Sequence, residues 1–351
     1  MTGPRPTDWM LYGAYGTTGR LILDEALRRG HRPVLAGRDA AQLALLSRAT
    51  GLSTRLLALD DAAGLRTALS CVSGVLHAAG PYQLTGPPMR AACLDVGCWY
   101  MDINGEIEDF GAAMACDAQA RNRGIAIIPG VGYGVTFAEC LAAYLSLRLP
   151  DATWLRLSLA THTGTRSRGA WLSTAAAIAT GGREIYQGQP RPRALAFSSW
   201  RTPGPDALRR RFSAAPLAEL VAVGHSTGIP NIIAGIPLSR PVAALMRVAG
   251  RPLSRLMTWQ AARVQTVAAP SLPPEAITSL RSRVWAEAGN TEGNRMVAML
   301  ETGEGYRVAA AAAVRAVELQ MQEPRQGALT PVQAFGAHFA LLVPGTHIQD
   351  L

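Results

Sequence analysis

The sequence predicts an α/β protein: a Rossmann-type, doubly wound parallel sheet followed by a second, α+β domain built on a mixed sheet. Three observations predict it. Through roughly the first 150 residues, short apolar runs alternate with amphipathic helical stretches. The first run leads straight into three glycines spaced three apart, Gly13, Gly16 and Gly19. From Thr153 the pattern changes to longer runs with partial alternation. These place a first domain at 1–150 and a second at 151–304.

The elements justify themselves in order. DWMLYG, from Asp8 to Gly13, is a short buried strand. TTGRLILDEALRR, from Thr17 to Arg29, has apolar positions at helical spacing, and Gly30 suits its C-terminus. PVLAG, ending at Gly37, is a second strand; the helix after it starts at Asp39, an N-cap residue type. RLLALD from Arg55, GVLHAAG from Gly74, WYMDIN from Trp99 and IAIIPG from Ile125 read as further strands. The helices between them are DDAAGLRTALS, PPMRAACLDVG and IEDFGAAMACDAQARNRG. Parallel strands joined by helices need this alternation, because each crossover must return the chain to the same sheet edge. In the second half TWLRLSLATHT, ALAFSSW, SRVWAEAGN and RMVAMLET read as strands, and SRGAWLSTAAAIATGG and GYRVAAAAAVRAVELQM as helices.

A glycine triad alone is weak evidence of function. Here it follows a strand and opens a helix in the first βαβ unit, as a dinucleotide site requires. Gly13 makes the tight turn, Gly16 lets the backbone approach a pyrophosphate, and Gly19 lets the helix pack on the strand. Tyr15, Thr17 and Thr18 share that loop and helix start, whose free N–H groups favour an anion. At the end of the second strand stands Arg38, suited to a 2′-phosphate and so to NADP. Asp39 beside it keeps NAD as the alternative, and reads first as a helix cap.

Composition narrows the chemistry. The net charge is +9 with histidine neutral, and its positive side comes from arginine alone, because the sequence has no lysine. Without lysine there is no Walker-type phosphate lysine, no lysine Schiff base and no Tyr-x-x-x-Lys relay. The excess charge suits an anionic substrate, such as a phosphorylated carrier or a coenzyme A thioester. Scattered arginines without interleaved aromatics do not form a nucleic-acid stripe. Five cysteines without a CxxC suggest reduced thiols rather than disulfides or a metal site. No leader pattern or uncharged apolar run long enough to span a bilayer is visible, so the expectation is cytoplasmic.

Two other segments invite a function. Gly224-His225-Ser226-Thr227-Gly228 matches a nucleophile elbow, with His338 and His347 downstream. Its prolines soon after oppose the helix an elbow needs, so it reads as a coincidental loop. Residues 232–264 are apolar with interspersed arginines. They suit either a basic surface on a membrane or acidic carrier, or core-facing helices with a solvated arginine face.

The chain resembles the saccharopine dehydrogenase-like NADP-binding oxidoreductases. The resemblance rests on YGAYGTTGRL, AGRD, and the block from His77 to Glu106, with its Ala-Gly-Pro-aromatic loop and its Tyr-x-Asp-x-x-Gly-Glu segment. It continues through PGVGYGVTFAEC, SRGAWLST, TGIPNI, VWAEAGN and FGAHFALLVPG, and is strongest toward the trans-acting enoyl reductase branch. It implies that Ala79, Gly80 and Pro81 line the cofactor, that 305–351 complete the first domain, and that the second domain binds substrate and forms a homodimer. It further implies NADPH-dependent reduction of an enoyl group, possibly on an acyl carrier or beside a synthase, in polyketide or lipid assembly. A C=N reductase and a non-catalytic nucleotide-binding partner of a synthase are the alternatives. One segment departs: the branch's Gly-Phe-Asp-x-x-Pro-x-Asp reads Gly132-Tyr133-Gly134-Val135-Thr136-Phe137-Ala138-Glu139 here.

For an enoyl thioester, an enolate must be stabilised and then protonated. Tyr82 and Tyr133 follow the fourth and sixth strands at the ligand edge of the sheet and are candidate donors. Both also read as packing aromatics. His162 reads first as a surface histidine and second as a candidate acid, with Arg166 and Arg168 available for an anionic group. His77 reads as a satisfied core residue, and Glu106 as a helix cap or substrate ligand.

Overall fold

A computed structural model describes residues 8–163, 168–203, 210–263, 277 and 279–351. The chain divides into two compact units: Met1–Asn104, Glu108–Tyr133 and Tyr306–Ala334 form the first, and Gly105–Ile107, Gly134–Gly305 and Phe335–Leu351 the second. The first unit therefore stops at Tyr133 rather than 150. Of the tail expected to complete it, only the part up to Ala334 does so.

The first unit alternates as expected. Its elements are β1 (Trp9–Tyr12), α1 (Thr17–Arg28), β2 (Val34–Gly37), α2 (Ala40–Thr50), β3 (Thr54–Leu56), α3 (Ala62–Leu69), β4 (Gly74–His77), α4 (Tyr82–Val96), β5 (Trp99–Asp102), α5 (Ile107–Met114), α6 (Asp117–Arg123) and β6 (Ala126–Ile128). The strands pair in parallel in the order β3-β2-β1-β4-β5-β6, so the connection reverses direction between β1 and β4. That reversal opens a crevice at the carboxyl ends of these two strands, which positions the site. Met10, Val75, Tyr100 and Ile127 fill one core layer beneath Leu65, Leu69 and Met89.

Two helices differ from expectation. α4 starts five residues before Pro87. Its first turn closes ahead of the prolines, because the Pro81 carbonyl accepts from the N–H groups of Leu84 (3.1 Å) and Thr85 (3.2 Å) and from Thr85 Oγ1 (3.0 Å). Pro87 and Pro88 then fall inside the helix. The single helix read over IEDFGAAMACDAQARNRG is two, broken between Met114 and Asp117.

The second unit contains α7 (Tyr133–Arg148), β7 (Trp154–Ala160), α8 (Arg168–Thr180), β8 (Gly182–Tyr186), β9 (Gln189–Arg193), β10 (Ser199–Arg201), β11 (Arg211–Ala214), α9 (Glu219–Thr227), β12 (Asn231–Pro237), α10 (Arg240–Arg263), β13 (Ser282–Gly289) and β14 (Arg295–Thr302). Its sheet runs β10-β11-β12-β7-β13-β14, with β8 pairing off β12 and β9 off β8. Only β12 and β7 are parallel, so the sheet is mixed. Phe212 and Trp285 meet edge to face in its core, at 5.7 Å between centroids. Of ALAFSSW only the end is strand, because Ala196 takes a positive φ of 51°.

The last elements are α11 (Gly305–Gln322), β15 (Gly327–Ala328), α12 (Pro331–Phe335) and β16 (His347–Asp350). β15 adds in parallel to β6 in the first unit, whereas β16 pairs antiparallel with β14 in the second.

Candidate functional site

The glycine loop leaves β1 with Gly13 at a φ of +84°. Its N–H donates to the carbonyl of Ala36 (2.8 Å), and a Cβ there would lie 2.8 Å from Cβ of Ala79. A Cβ on Gly19 would overlap the carbonyl oxygen of Gly13. Gly16 is the N-cap of α1, and no side chain caps that helix. Its first N–H groups thus remain available to an anion. Thr17, Thr18 and Gly19 form its first turn.

Tyr15 supplies a feature the spacing does not reveal. Its ring lies against Gly37, where a Cβ would come within 2.5 Å of the ring. Its hydroxyl accepts from the backbone N–H groups of Arg38 (3.0 Å) and Asp39 (3.2 Å). The phenol therefore pins the end of β2 to the glycine loop. Asp39 Oδ1 accepts from Gln42 N (3.0 Å) and caps α2. Arg38 is exposed. Among the described residues, no carboxylate forms an ion pair with its guanidinium.

The carboxyl edge of β4 and β5 carries a buried polar network. Tyr82, the first residue of α4, donates its hydroxyl to the carbonyl of His77 (3.2 Å), just before Ala79, Gly80 and the cis-linked Pro81. Tyr100 donates to Asp102 Oδ2 (2.7 Å), and His77 Nδ1 stands 3.3 Å from the same hydroxyl. With the tyrosine proton directed at Asp102, Nδ1 carries the imidazole proton and Nε2 is the bare acceptor. Burial pushes His77 down to about 3, so it is neutral. Nε2 has no hydrogen-bond partner among the described residues, which corrects its reading as a satisfied core histidine.

Asp102 also accepts from the N–H groups of Asn104 (2.9 Å) and Gly130 (2.8 Å). Burial raises its pKa to about 6 against those donors, leaving it ionised at neutral pH. Arg90 and Asp109 form a bidentate pair at 2.7 and 2.6 Å, and Asn104 Nδ2 donates to the same carboxylate. The sequence reading missed this network. Its one signal was the pair of polar residues, Asp102 and Asn104, closing the apolar run WYMDIN.

Tyr133 opens α7 and is buried. His162, just past β7 in the second unit, is half-buried. Its N–H donates to Ser282 Oγ (3.1 Å), and its Nδ1 has no partner among the described residues. Arg166 and the side chain of Arg168 lie outside the described residues. Glu106 accepts from Ser173 Oγ (2.6 Å) and bridges to Leu217. Among the described residues, no His, Cys, Asp and Glu cluster suits a metal ion.

No family model matches the chain. By sequence it is similar to a saccharopine dehydrogenase-like oxidoreductase of Arabidopsis thaliana, 31% identical over 175 residues, which is 44% of this chain and 37% of that protein. It is also similar to a trans-acting enoyl reductase of Mycobacterium tuberculosis, 34% identical over 110 residues, or 29% of this chain and 26% of that protein. These matches thus span well under half the length of either curated relative. Among solved structures, saccharopine dehydrogenase of Saccharomyces cerevisiae aligns over 98% of this chain and 99% of its own, with a TM-score of 0.65 at 10% identity. The chain has the saccharopine dehydrogenase fold.

Within that fold the departure at residue 134 has a local consequence. A Cβ on Gly134 would overlap Glu219 Oε1. The glycine makes room for a buried glutamate, whose Oε2 has no partner among the described residues. Burial raises the Glu219 pKa to about 7. The same fold disposes of the nucleophile elbow. Ser226 sits in the last turn of α9, which ends at Gly228 with a φ of +69°. An elbow serine must lie between a strand and the start of a helix. The motif is a helix end rather than a loop.

Proposed function

We propose that the protein is an NADPH-dependent oxidoreductase that reduces an α,β-unsaturated acyl substrate, carried as a thioester. The glycine loop carries this reading, because Gly13 and Gly19 allow the tight turn and the close packing of α1 on β1 that leave the uncapped start of α1 facing a pyrophosphate. The residues present fit that cofactor. Gly13 to Gly19 and the uncapped start of α1 would hold the pyrophosphate. Arg38 would hold the 2′-phosphate, while the capping duty of Asp39 disfavours the NAD alternative. When bound, NADPH supplies the hydride.

The chain's own residues then orient substrate and manage a proton. Tyr82 directs its hydroxyl to a backbone carbonyl, so it serves as a wall of the site rather than a proton donor. Tyr133 is the proposed donor to the enolate oxygen. In the second unit His162, whose Nδ1 has no partner among the described residues, is the candidate acid. The similarity to an enoyl reductase supports the acyl substrate.

The test is NADPH consumption with a short enoyl-coenzyme A thioester and, separately, with a cyclic imine. Oxidation with the thioester alone is expected. Oxidation with the imine alone would assign C=N reduction. Binding of NADPH without consumption on either would favour a nucleotide-binding partner of a synthase.

A further inference from the structure

α10 presents an apolar face to solvent. Ala249, at φ −118° and ψ 20°, kinks α10 into two segments. Val242, Leu245 and Val248 recur every three residues on the first, and Pro252, Leu256 and Trp259 at intervals of four and three on the second, so each segment carries its apolar residues along one side. All six are exposed. Val248 is 89% exposed, and Leu245, Leu256 and Trp259 are 50–54% exposed. The opposite side carries small buried residues, Ala243, Gly250 and Ser254. There a Cβ on Gly250 would overlap Leu195 and come 3.8 Å from Ile178 of α8. The helix is thus seated on its unit by its small residues and turns its large apolar ones outward. A core-facing helix with a solvated arginine face, one of the two sequence readings, has the opposite arrangement.

Charge narrows the occupant. α10 contains five arginines, Arg240, Arg247, Arg251, Arg255 and Arg263, and no acidic residue. Among the described residues, neither Arg240 nor Arg247 has a carboxylate partner. A second copy seated on it would offer another helix with five arginines and no acidic residue, and so no charge complement, whereas an anionic surface supplies one. The exposed apolar residues continue on both segments of the kinked helix, and Trp259 marks one end, as suits a lipid interface. Among the described residues, no helix is long and apolar enough to cross a membrane, so α10 would lie on a bilayer.

We propose that α10 docks the protein onto an anionic phospholipid surface, with Val242, Leu245, Val248, Leu256 and Trp259 entering the headgroup boundary and arginines meeting the lipid phosphates.

The test is co-sedimentation of the full chain with vesicles of phosphatidylcholine alone and of equal parts phosphatidylcholine and phosphatidylglycerol. Binding only to the anionic vesicles, weakened by added salt, is expected. The variant Leu245→Glu/Leu256→Glu should bind at least about tenfold more weakly, from lost burial and added like charge to the lipid. Val248→Asn is the companion variant; its site is 89% exposed, so its weaker loss of binding is read without a folding defect. Failure of the wild type to sediment with anionic vesicles would overturn the proposal, as would full binding by both variants. A dimer that the double variant dissociates, without vesicle binding, would assign the face to a second copy instead.

Discussion

At residue 19 the space for a side chain is already taken by the Gly13 carbonyl. Gly19→Ala should therefore push α1 away from β1 and weaken dinucleotide binding about tenfold or more, read by fluorescence titration. Unchanged affinity would show that the loop does not hold a phosphate. Glu219 gives a prediction of another kind. Its pKa rises from 4.5 to about 7 through burial, so the folded chain keeps a proton that the unfolded chain releases. That contribution is full below about pH 4.5 and is lost as pH rises toward 7. Glu219→Gln should flatten this fall by on the order of 3 kcal/mol, measured as urea unfolding free energies at acid and neutral pH. Parallel profiles for the two proteins would show that the carboxyl is not held neutral. Glycines with a structural duty, at 13 and 19, were legible from spacing. The duty of Gly134 was not, because it depends on a glutamate distant in the chain.

At the scale of elements, α4 and α5 are joined by the Arg90–Asp109 pair, and Gly86 leaves the space it occupies: a Cβ there would lie 2.5 Å from the guanidinium. Both side chains are buried. Asp109→Ala leaves a buried charge uncompensated and should destabilise the protein by about 3–5 kcal/mol in urea unfolding. A loss below about 1 kcal/mol would mean that water reaches Arg90. The strands β1, β2, β4, β5 and β6 were legible because each is a short apolar run, buried on both faces. Helix boundaries were less so. The prolines at 87 and 88 suggested a start, whereas Thr85 and the Pro81 carbonyl set it earlier. Ser226 fell into a helix because the apolar run before it has helical rather than strand burial, with Leu220, Ala222 and Val223 all enclosed.

For the whole molecule, alternation revealed two units but not how the chain shares them. β15 is two residues long, and β16 reads HIQD, polar and without alternation, so neither announces a strand. β16 is set by its partner: it covers the edge of β14, from Ala298 to Glu301. Deleting residues 346–351 should lower the thermal midpoint by about 2–4 °C through this exposed edge. Dinucleotide affinity should be kept, because the glycine loop lies in the first unit. The NADPH proposal rests on this loop together with Arg38. Its most direct test is a fluorescence titration of NADPH and NADH against the wild type and Arg38→Ala. Wild type should bind NADPH more tightly than NADH, with NADPH affinity falling about tenfold in the variant while NADH is unaffected. Absence of binding by either dinucleotide, or an equal effect of Arg38→Ala on both, would contradict it.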